Sequence, residues 1–280
     1  MLQQTQVKTV IPYFKSFVHK VPDLKALSKS NEKKILKLWE GLGYYSRAKN
    51  LHKTSKILVK KYKSQIPDTF EKLKELPGIG DYTANVLLAL IYNQPRIGLD
   101  GNVKRVLLRL FNLETKDAAN LFKTERNGDL AEALMEFGAI ICKPKDPLCH
   151  KCKLKKNCLY YKSESKIRFN RKIKIQPKSY DIFCYLRKNK KQIALTKNND
   201  LSFLKKFNLP KIRTASKKNK NWKFLCNYKN SISNKKLNLN LYYKFSSKIP
   251  SDYNWYSLDK NNDFIPSFTK KVFKQVSNLY

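Results

Sequence analysis

The sequence is poor in acidic residues and in long apolar runs. It has 21 aspartates and glutamates against 59 lysines and arginines, which gives a formal net charge of +38 at pH 7. Such an excess attracts polyanions and favours nucleic acid or an anionic membrane surface as a partner. The longest strongly apolar run, Val86 to Tyr92, is far shorter than the roughly 20 residues that cross a bilayer. The sequence therefore predicts a soluble protein without a membrane span.

An export signal is also lacking. The opening stretch MLQQTQVKTVIPYF has no charged leader, no long apolar core and no small-residue cleavage site. We therefore expect a cytoplasmic protein, associated with the nucleoid if its partner is DNA, and we expect no disulfides among its six cysteines. A chain of 280 residues fits two modest domains better than one.

The pattern of apolar residues changes along the chain. In the first half they recur at intervals of three and four, which predicts helices at 3–19, 31–40, 46–62, 69–75, 81–93, 102–111 and 128–140. After a lysine-rich stretch, short runs predict strands at 180–186, 192–196, 222–226 and 239–245, and a final helix at 266–277. We predict a mostly α domain at 1–160, a basic linker at 161–179 and a mixed α/β domain at 180–280.

Four cysteines lie close together at the end of the helical half. Six, two and five residues separate them, and they are Cys142, Cys149, Cys152 and Cys158. A structural zinc site usually takes two pairs of ligands separated by a dozen or more residues. Four thiols in one compact loop suit a [4Fe-4S] cluster, in which each iron accepts one sulfur. Zinc or four free thiols are the alternatives, and His150 is expected to be an exposed loop residue.

A glycine-rich turn precedes one of the predicted helices. Pro77, Gly78 and Gly80 in LPGIGDYTANVLLALIY allow a tight hairpin whose backbone N–H groups and positive helix end point outward together, an arrangement that binds phosphate. Asp100 stands at the head of the next predicted helix. Taken alone it is an ordinary helix N-cap.

These segments together resemble the helix-hairpin-helix, endonuclease III superfamily of DNA base-excision glycosylases, over roughly residues 1–158. The superfamily motif ends in an aspartate at the position of Asp100, and the superfamily's C-x6-C-x2-C-x5-C loop carries a [4Fe-4S] cluster. Within the superfamily, MLQQTQV, GLGYYSRAKNL and LDGNVKRV resemble the adenine DNA glycosylases, which remove adenine mispaired with 8-oxoguanine or guanine. The resemblance implies a monomer that binds double-stranded DNA with such mispairs.

The resemblance also implies roles for single residues. Asp100 would stabilise the oxocarbenium-like sugar, with Tyr82 close to the same centre and Asn102 helping to orient it. Bifunctional relatives carry a lysine at the position of Tyr82; because imine formation needs an amine, the tyrosine predicts a monofunctional enzyme. A bifunctional pyrimidine glycosylase is therefore an alternative with less support.

Two sets of residues are expected to contact DNA. Tyr44 resembles the wedge beside 8-oxoguanine, and the remaining predicted contacts lie on the lesion side, in the hairpin or in the cysteine loop: Gln3, Gln4, Thr5, Leu42, Gly43, Pro77, Gly78, Ile79, Gly80, Lys143 and Lys145. The neutral alternative makes Tyr44 a half-buried helix-cap aromatic and the glutamines an ordinary polar helix face. The lysines of the cysteine loop are expected to contact the phosphate backbone.

The second domain and the N-terminus complete the prediction. The run from Tyr180 and the segments LSFLKKFNLPK and IPSFTKKVFKQ are similar to the Nudix-like lesion-recognition domain of adenine glycosylases, without its nucleotide-hydrolysis motif. Ser246 stands where such a domain donates a hydrogen bond to the lesion, and Ser247 replaces the usual histidine. The family's general-acid glutamate lies two residues before the methionine of MLQQ, so we expect it upstream of Met1. A lesion-binding protein without catalysis is the alternative.

Overall fold

The computed structural model describes residues 1–3, 5–113, 123–163, 177–201, 204, 207–215, 221–232, 235–259 and 264–280. Contacts between these residues divide the chain into two units. The helical unit comprises described residues within 53–172, and the sheet unit comprises those within 1–52 and 173–280. The sheet unit thus joins the start of the chain to its end. The domain boundaries predicted from the sequence at 160 and 180 stay a prediction, as does the linker, most of which lies outside the described residues.

Four helices occupy the beginning of the chain: α1 (Val7–Lys20), α2 (Leu24–Lys29), α3 (Glu32–Leu38) and α4 (Ser46–Lys61). The first helix was predicted to begin at residue 3, but α1 begins four residues later, at Val7. Gln3 and Gln6 are not helical. The sequence prediction missed α2, a six-residue helix too short for a periodic pattern to show. Its start is fixed by Asp23, whose carboxylate accepts a bond of 2.7 Å from the Ala26 amide.

Helices α1 to α3 belong to the sheet unit. The helical unit contains the C-terminal part of α4 and the helices α5 (Phe70–Lys74), α6 (Asp81–Tyr92), α7 (Gly101–Phe111), α8 (Asn127–Ile140) and α9 (Leu159–Lys162). Asn93 and Asn112 end α6 and α7 in the left-handed conformation, with φ of 49° and 53°, which asparagine tolerates better than most residues. The apolar face of α7 is the centre of the core: Val103, Val106, Leu107 and Leu110 pack with Leu134 and Cys158. This core holds the head of α7 in a fixed place.

The sheet unit contains a six-stranded mixed sheet and a C-terminal helix. Its elements are β1 (Lys178–Arg187), β2 (Gln192–Thr196), β3 (Lys211–Thr214), β4 (Lys223–Ile232), β5 (Lys235–Phe245), β6 (Tyr253–Ser257) and α10 (Ser267–Val276). The strand order is β4-β5-β1-β2-β6, and β3 pairs with β1. β1 runs parallel to β5, and the other pairs are antiparallel.

The prediction of a helical half followed by an α/β half is confirmed by these elements. The four predicted strands lie within or largely within β1, β2, β4 and β5, whereas β3 and β6 were missed. One face of the sheet is aliphatic, with Ile182, Leu239 and Leu241 fully buried against Val272 and Val276 of α10. None of the described helices combines the length and apolar character that a bilayer crossing needs. A specific likeness to Nudix domains stays a prediction.

Candidate functional site

The predicted hairpin forms a turn directly before α6. Gly78 has a φ of 82°, in the left-handed region that glycine enters without strain. The Ile79 amide bonds to the Leu76 carbonyl at 3.1 Å, and Thr54 in α4 holds the Pro77 carbonyl at 3.0 Å. Gly80 is the N-cap and supplies no side-chain cap. The first turn of α6 therefore begins without a capping side chain, as a site for an anionic group requires.

Asp100 is the N-cap of α7, and its carboxylate is held at two atoms. Oδ1 accepts the backbone amides of Asn102 at 2.8 Å and Val103 at 2.7 Å. Oδ2 accepts the Asn102 side-chain amide at 3.3 Å. The carboxylate that was predicted to act at the sugar is therefore the same group that caps α7.

Tyr82 lies beside Asp100 in the same unit. Burial and the negative charge of Asp100 both raise the pKa of the Tyr82 phenol, so the ring keeps its proton at neutral pH. The hydroxyl donates to the Met135 sulfur at 3.2 Å. The structure therefore brings together two of the residues that were predicted to act at one centre.

Gly98 permits this approach, and the sequence prediction overlooked it. A Cβ atom at Gly98 would overlap Val86 Cγ2 and would lie 2.9 Å from Tyr82 Cε2. The segment before Asp100 therefore lies directly against α6 only because residue 98 has no side chain. Motif spacing gives no signal for such a contact, because the partner residues are more than ten positions away.

The third predicted catalytic residue, Asn102, is fixed from two sides. A Cβ at Gly138 in α8 would lie 2.7 Å from Asn102 Cβ, so α8 and α7 touch at this point. The Asn102 side-chain oxygen accepts from Arg105 at 2.9 Å. Arg105 also donates to the carbonyls of Gly138 and Cys142, at 2.6 and 2.8 Å. Arg105, also overlooked from sequence, thus connects the head of α7 with the start of the cysteine loop.

The four predicted metal ligands line one small, partly open pocket, together with Arg109, Phe137 and Tyr160. Burial, and then the charges of the other three cysteines, raise the pKa of Cys149, which indicates that the four sulfurs share one neighbourhood. Among the described residues, no three His, Cys, Asp or Glu side chains converge closely enough to be assigned as a site for a single metal ion.

Arg109 brings a buried positive charge to this cavity. Its side chain is 2% exposed, donates to Cys142 Sγ at 3.3 Å and bonds to the carbonyls of Lys143 and Pro144 at 2.6 and 3.2 Å. A buried cation needs anionic or hydrogen-bonding partners, and four thiolates around an iron-sulfur cluster supply negative charge. The donor set therefore fits the predicted cluster. Lys143 and Lys145, the two predicted phosphate contacts, are exposed.

The predicted lesion-side residues belong to the sheet unit and centre on a strained loop. Gly41, Gly43 and Tyr44 all have positive φ, at 111°, 71° and 48°. A Cβ at Gly41 would overlap the Tyr13 hydroxyl. A left-handed tyrosine costs on the order of 1 kcal/mol or more. Such strain persists only where surrounding contacts fix the residue, and it often occurs at functional positions.

Arg47 supplies many of those contacts, although the sequence prediction had not selected it. Its guanidinium lies 5.2 Å from the Tyr44 ring and 5.5 Å from the Trp39 ring. It also donates to the carbonyls of Met1, Gln3 and Gly43 and, at 3.1 Å, to Thr5 Oγ1. One side chain therefore ties the first residues of the chain to the Tyr44 loop.

The remaining predicted contacts are placed as follows. The side chain of Leu42 is buried at 6% exposure in the core of α1 and α3, while Gln3 is exposed and Gln4 lies outside the described residues. The Ser246 hydroxyl donates to the Lys248 carbonyl at 2.6 Å. A hydrogen bond from Ser246 to a lesion would have to replace that contact.

Tyr45, next to Tyr44, is held by residues more than 160 positions away. Its hydroxyl contacts Ser267 Oγ at 3.0 Å and accepts from the Ser267 amide at 3.1 Å. Its ring packs on Phe207 and Phe264, with centroid distances of 5.4 and 4.6 Å. The end of the chain thus fixes the backbone beside the predicted wedge.

Comparison with known proteins gives this arrangement a class. Residues 1–128 match the model of the HhH-GPD superfamily of base excision DNA repair proteins. Over these residues the chain is similar to that superfamily. Among curated proteins, the chain is similar to the adenine DNA glycosylases of Buchnera aphidicola from Schizaphis graminum, of Schizosaccharomyces pombe and of Homo sapiens.

Identity to these three relatives is 37% over 216 residues, 37% over 196 and 36% over 171. The matches cover 71%, 65% and 56% of this chain, but 61%, 41% and 31% of the relatives. The chain thus spans less than two thirds of their length. Two solved structures of endonuclease III with DNA, one covalent and one non-covalent, are 25% identical, with a TM-score of 0.50, over 57% of this chain and 79% of theirs.

Proposed function

We propose that the protein is a monofunctional adenine DNA glycosylase of base excision repair. The observation that carries the proposal is the Asp100 carboxylate, held by the amides of Asn102 and Val103 beside the protonated Tyr82. Adenine glycosylase names among relatives at 36% to 38% identity support the choice of base. The substrate is duplex DNA with adenine opposite 8-oxoguanine or guanine.

Asp100 stabilises the positive charge that develops on the deoxyribose. The target nucleotide first leaves the base stack, at a cost of a few kcal/mol. As the bond between the sugar and adenine breaks, the sugar becomes oxocarbenium-like, and an anion already in place costs no reorganisation. Two backbone amides hold Oδ1. In this proposal Oδ2 is therefore the oxygen that faces the sugar. Water then adds to the sugar carbon through its oxygen, one proton ends on a ring nitrogen of the departing base, and the products are free adenine and an abasic site.

Tyr82 determines that the reaction stops there. Strand cleavage through an imine requires an amine nucleophile. The phenol of Tyr82 has no nitrogen and cannot form an imine. The raised pKa of Tyr82, due to burial and to Asp100, keeps the hydroxyl protonated. Asn102, bonded to both Asp100 and Arg105, keeps the carboxylate in orientation.

Two further surfaces bind the DNA in this proposal. The turn at Pro77 to Gly80 offers the uncapped start of α6 to a phosphate, and the exposed Lys143 and Lys145 add contacts that do not depend on sequence. Tyr44 fills the space beside 8-oxoguanine, with Gln3, Thr5 and Gly43 on the same side. Ser246 in a Nudix-like sheet domain adds a hydrogen bond to the lesion.

In this proposal Cys142, Cys149, Cys152 and Cys158 would hold a [4Fe-4S] cluster through their thiolates. The bound cluster would supply a cross-link between distant parts of the loop. The chain's own contribution is the buried Arg109, which bonds to Cys142 Sγ and to the carbonyls of Lys143 and Pro144. These bonds direct the backbone of the loop that carries Lys143 and Lys145.

The test is adenine release from a labelled duplex with adenine opposite 8-oxoguanine. The assay uses the 280-residue chain and a second preparation that adds any residues encoded in frame before Met1. We expect an alkali-labile site at the adenine and no strand cut without alkali. If both preparations bind the lesion duplex tightly but produce no alkali-labile site, the protein is a lesion-binding protein without glycosylase activity. A covalent complex trapped by borohydride would contradict the monofunctional assignment.

A further inference from the structure

The sheet of the sheet unit has a second face whose chemistry differs from the aliphatic one. Along β1, Ile182, Cys184 and Leu186 are fully buried in the core, so the alternate residues Phe183 and Tyr185 are directed to the opposite side. Strand register extends the pattern, because Tyr242 on β5 pairs with Phe183, and Phe224 on β4 pairs with Tyr242. We call this the aromatic face, comprising Phe183, Tyr185, Trp222, Phe224, Tyr242, Tyr253 and Trp255.

The rings of the aromatic face form a connected row. Phe183 lies nearly parallel to Tyr242 at 5.6 Å and tilted against Trp222 at 5.0 Å. Trp222 meets Tyr185 at 4.8 Å, and Tyr185 meets Tyr253 at 5.6 Å. Phe224 packs its edge on Tyr242 at 5.6 Å. Such mutual contacts hold the rings in place without a ligand.

Most rings of this row reach solvent, whereas Phe183 between Tyr242 and Trp222 is buried at 7% exposure. Phe224 is 55% exposed, and Tyr185, Trp222, Tyr242, Tyr253 and Trp255 are partly exposed. Single exposed apolar residues are common, but contiguous exposed apolar patches usually mark a binding surface. A continuous set of ring edges and faces therefore calls for a ligand with flat, apolar surfaces of its own.

Cations are interleaved with the rings. Lys211 pairs with Phe183 across β3 and β1, Lys244 pairs with Tyr185 across β5 and β1, and the Arg187 guanidinium lies 4.3 Å from the Trp255 ring. Of the acids near these rings, Asp181 is buried at 1% exposure and bonded to Asn240 at 2.9 Å, and the exposed Asp252 beside Tyr253 accepts from Thr196 Oγ1 at 2.9 Å. A second copy of this chain would bring the same cations against these, which is unfavourable.

We propose that the aromatic face binds the unpaired bases of a single-stranded nucleic acid. Stacking on aromatic rings together with cations along a phosphate backbone is the general mode of single-strand binding. This site goes beyond the proposed function, which acts on a mispair in a duplex through residues of the hairpin, α7 and the Tyr44 loop. Failure of one assignment therefore leaves the other intact.

Tryptophan fluorescence offers a direct test on the whole protein. The chain has three tryptophans; Trp222 and Trp255 lie on the aromatic face, whereas Trp39 is 1% exposed. The probes are a 12-nucleotide oligothymidylate and an abasic strand with the same number of phosphates. We expect the oligothymidylate to quench the fluorescence and to bind more tightly than the abasic strand. Equal binding of both strands without quenching would overturn the proposal.

Substitutions at Phe224 separate stacking from general hydrophobic contact. Phe224→Leu keeps an apolar side chain but removes the ring, so we expect oligothymidylate to bind about tenfold more weakly, with the abasic strand unchanged. Phe224→Tyr should bind as the parent does. Phe14 on α1, 56% exposed, is the matched control, and Phe14→Leu should have no effect.

Two results would overturn the site. If Phe224→Leu and Phe14→Leu lower the oligothymidylate affinity equally, the ring at 224 plays no special part. If Phe224→Leu leaves that affinity unchanged but alters the molar mass in light scattering, the face joins copies of the chain instead. A melting curve of each variant confirms folding, and the quenching of the parent protein stands even if one variant unfolds.

Discussion

The Asp100 region and the Tyr44 loop are built in contrasting ways. Asp100 is held by backbone amides two and three residues further along the chain, so its position follows from the helix that it begins. Tyr44 has a strained backbone and depends on Arg47 and, through Tyr45, on Ser267. A locally determined charge suits chemistry that must be ready before substrate arrives. A side chain held by residues distant in sequence can instead change its position when a ligand binds at those residues.

The sharpest way to break this comparison is to remove the charge of Asp100 while keeping its cap. In Asp100→Asn the side-chain oxygen can still accept from the amides of Asn102 and Val103, because asparagine is as good an N-cap as aspartate. We expect the rate of adenine release to fall about 1,000-fold with the melting temperature nearly unchanged. A single-turnover assay and a melting curve check this. Retained activity would remove Asp100 from the chemistry.

A second change tests whether close packing sets the position of Asp100. In Gly98→Ala the added methyl group overlaps Val86 and presses on Tyr82, so we expect the free energy of unfolding to fall by about 1–3 kcal/mol. Gly101→Ala is the matched control, since no atom lies within 4 Å of its Cβ position. Urea denaturation measures both. If Gly98→Ala and Gly101→Ala have equal free energies of unfolding, the backbone before α7 shifts to accommodate the methyl group at little cost.

The Tyr44 loop should respond to a change that leaves its charge intact. Arg47→Lys loses the planar fork that reaches Met1, Thr5 and Gly43 together. We expect the free energy of unfolding to fall by about 1–2 kcal/mol, and preference for the lesion duplex over an undamaged one to weaken. Arg126→Lys is the control, because Arg126 is 80% exposed in its ion pair with Asp129. Unaltered preference would detach Arg47 from lesion recognition.

The same contrast explains what could be predicted from sequence. The Asp100 cap and the hairpin before α6 are defined by neighbours in the chain. The same is true of the four cysteines, which line one pocket, while their role as metal ligands stays a prediction. Gly98, Arg47 and Ser267 act through residues distant in sequence, which spacing alone cannot reveal.

Strands show the same limit. The two missed strands, β3 and β6, have four and five residues and exist because β1 and β2 offer them partners. The four residues of β3 are too few for an alternating pattern to stand out. The sequence predicted β2, which has five residues and an apolar centre (QIALT), whereas β6, of the same length, contains no aliphatic residue (YNWYS). For these residues and strands, the sequence shows which side chains are present but not which distant residues or strands they contact.

The cysteine loop offers a smaller effect that is independent of the lesion. We expect Lys143→Gln with Lys145→Gln to weaken binding to all duplexes alike and to reduce the slope of log affinity against log salt by about 2. Lys25→Gln with Lys29→Gln, on exposed positions of α2, is the control of equal charge. Titrations by fluorescence anisotropy at several salt concentrations supply the slopes. An identical slope in both double variants would leave the loop without its own phosphate contacts.

The smallest expected effect concerns an ion pair that joins the two ends of the sheet unit. Burial raises the pKa of Glu40, but the bonds and charges of Lys270 and Lys37 outweigh it, so the net pKa is lowered. Both lysines lie 2.8 Å from its carboxylate. Because the pKa of Glu40 is lower in the folded state, the ion pair stabilises the fold at pH values above the unfolded pKa, near 4.3. This stabilisation is lost as the pH falls through the folded pKa.

We expect Glu40→Gln to lower the free energy of unfolding by about 1 kcal/mol at pH 7 and by progressively less below about pH 4. Urea denaturation across this range measures the difference, with Glu75→Gln, in an exposed pair with Lys61, as the control. A difference that stays constant down to pH 3 would mean that Glu40 acts through its hydrogen bond to the Ile265 amide and not through its charge.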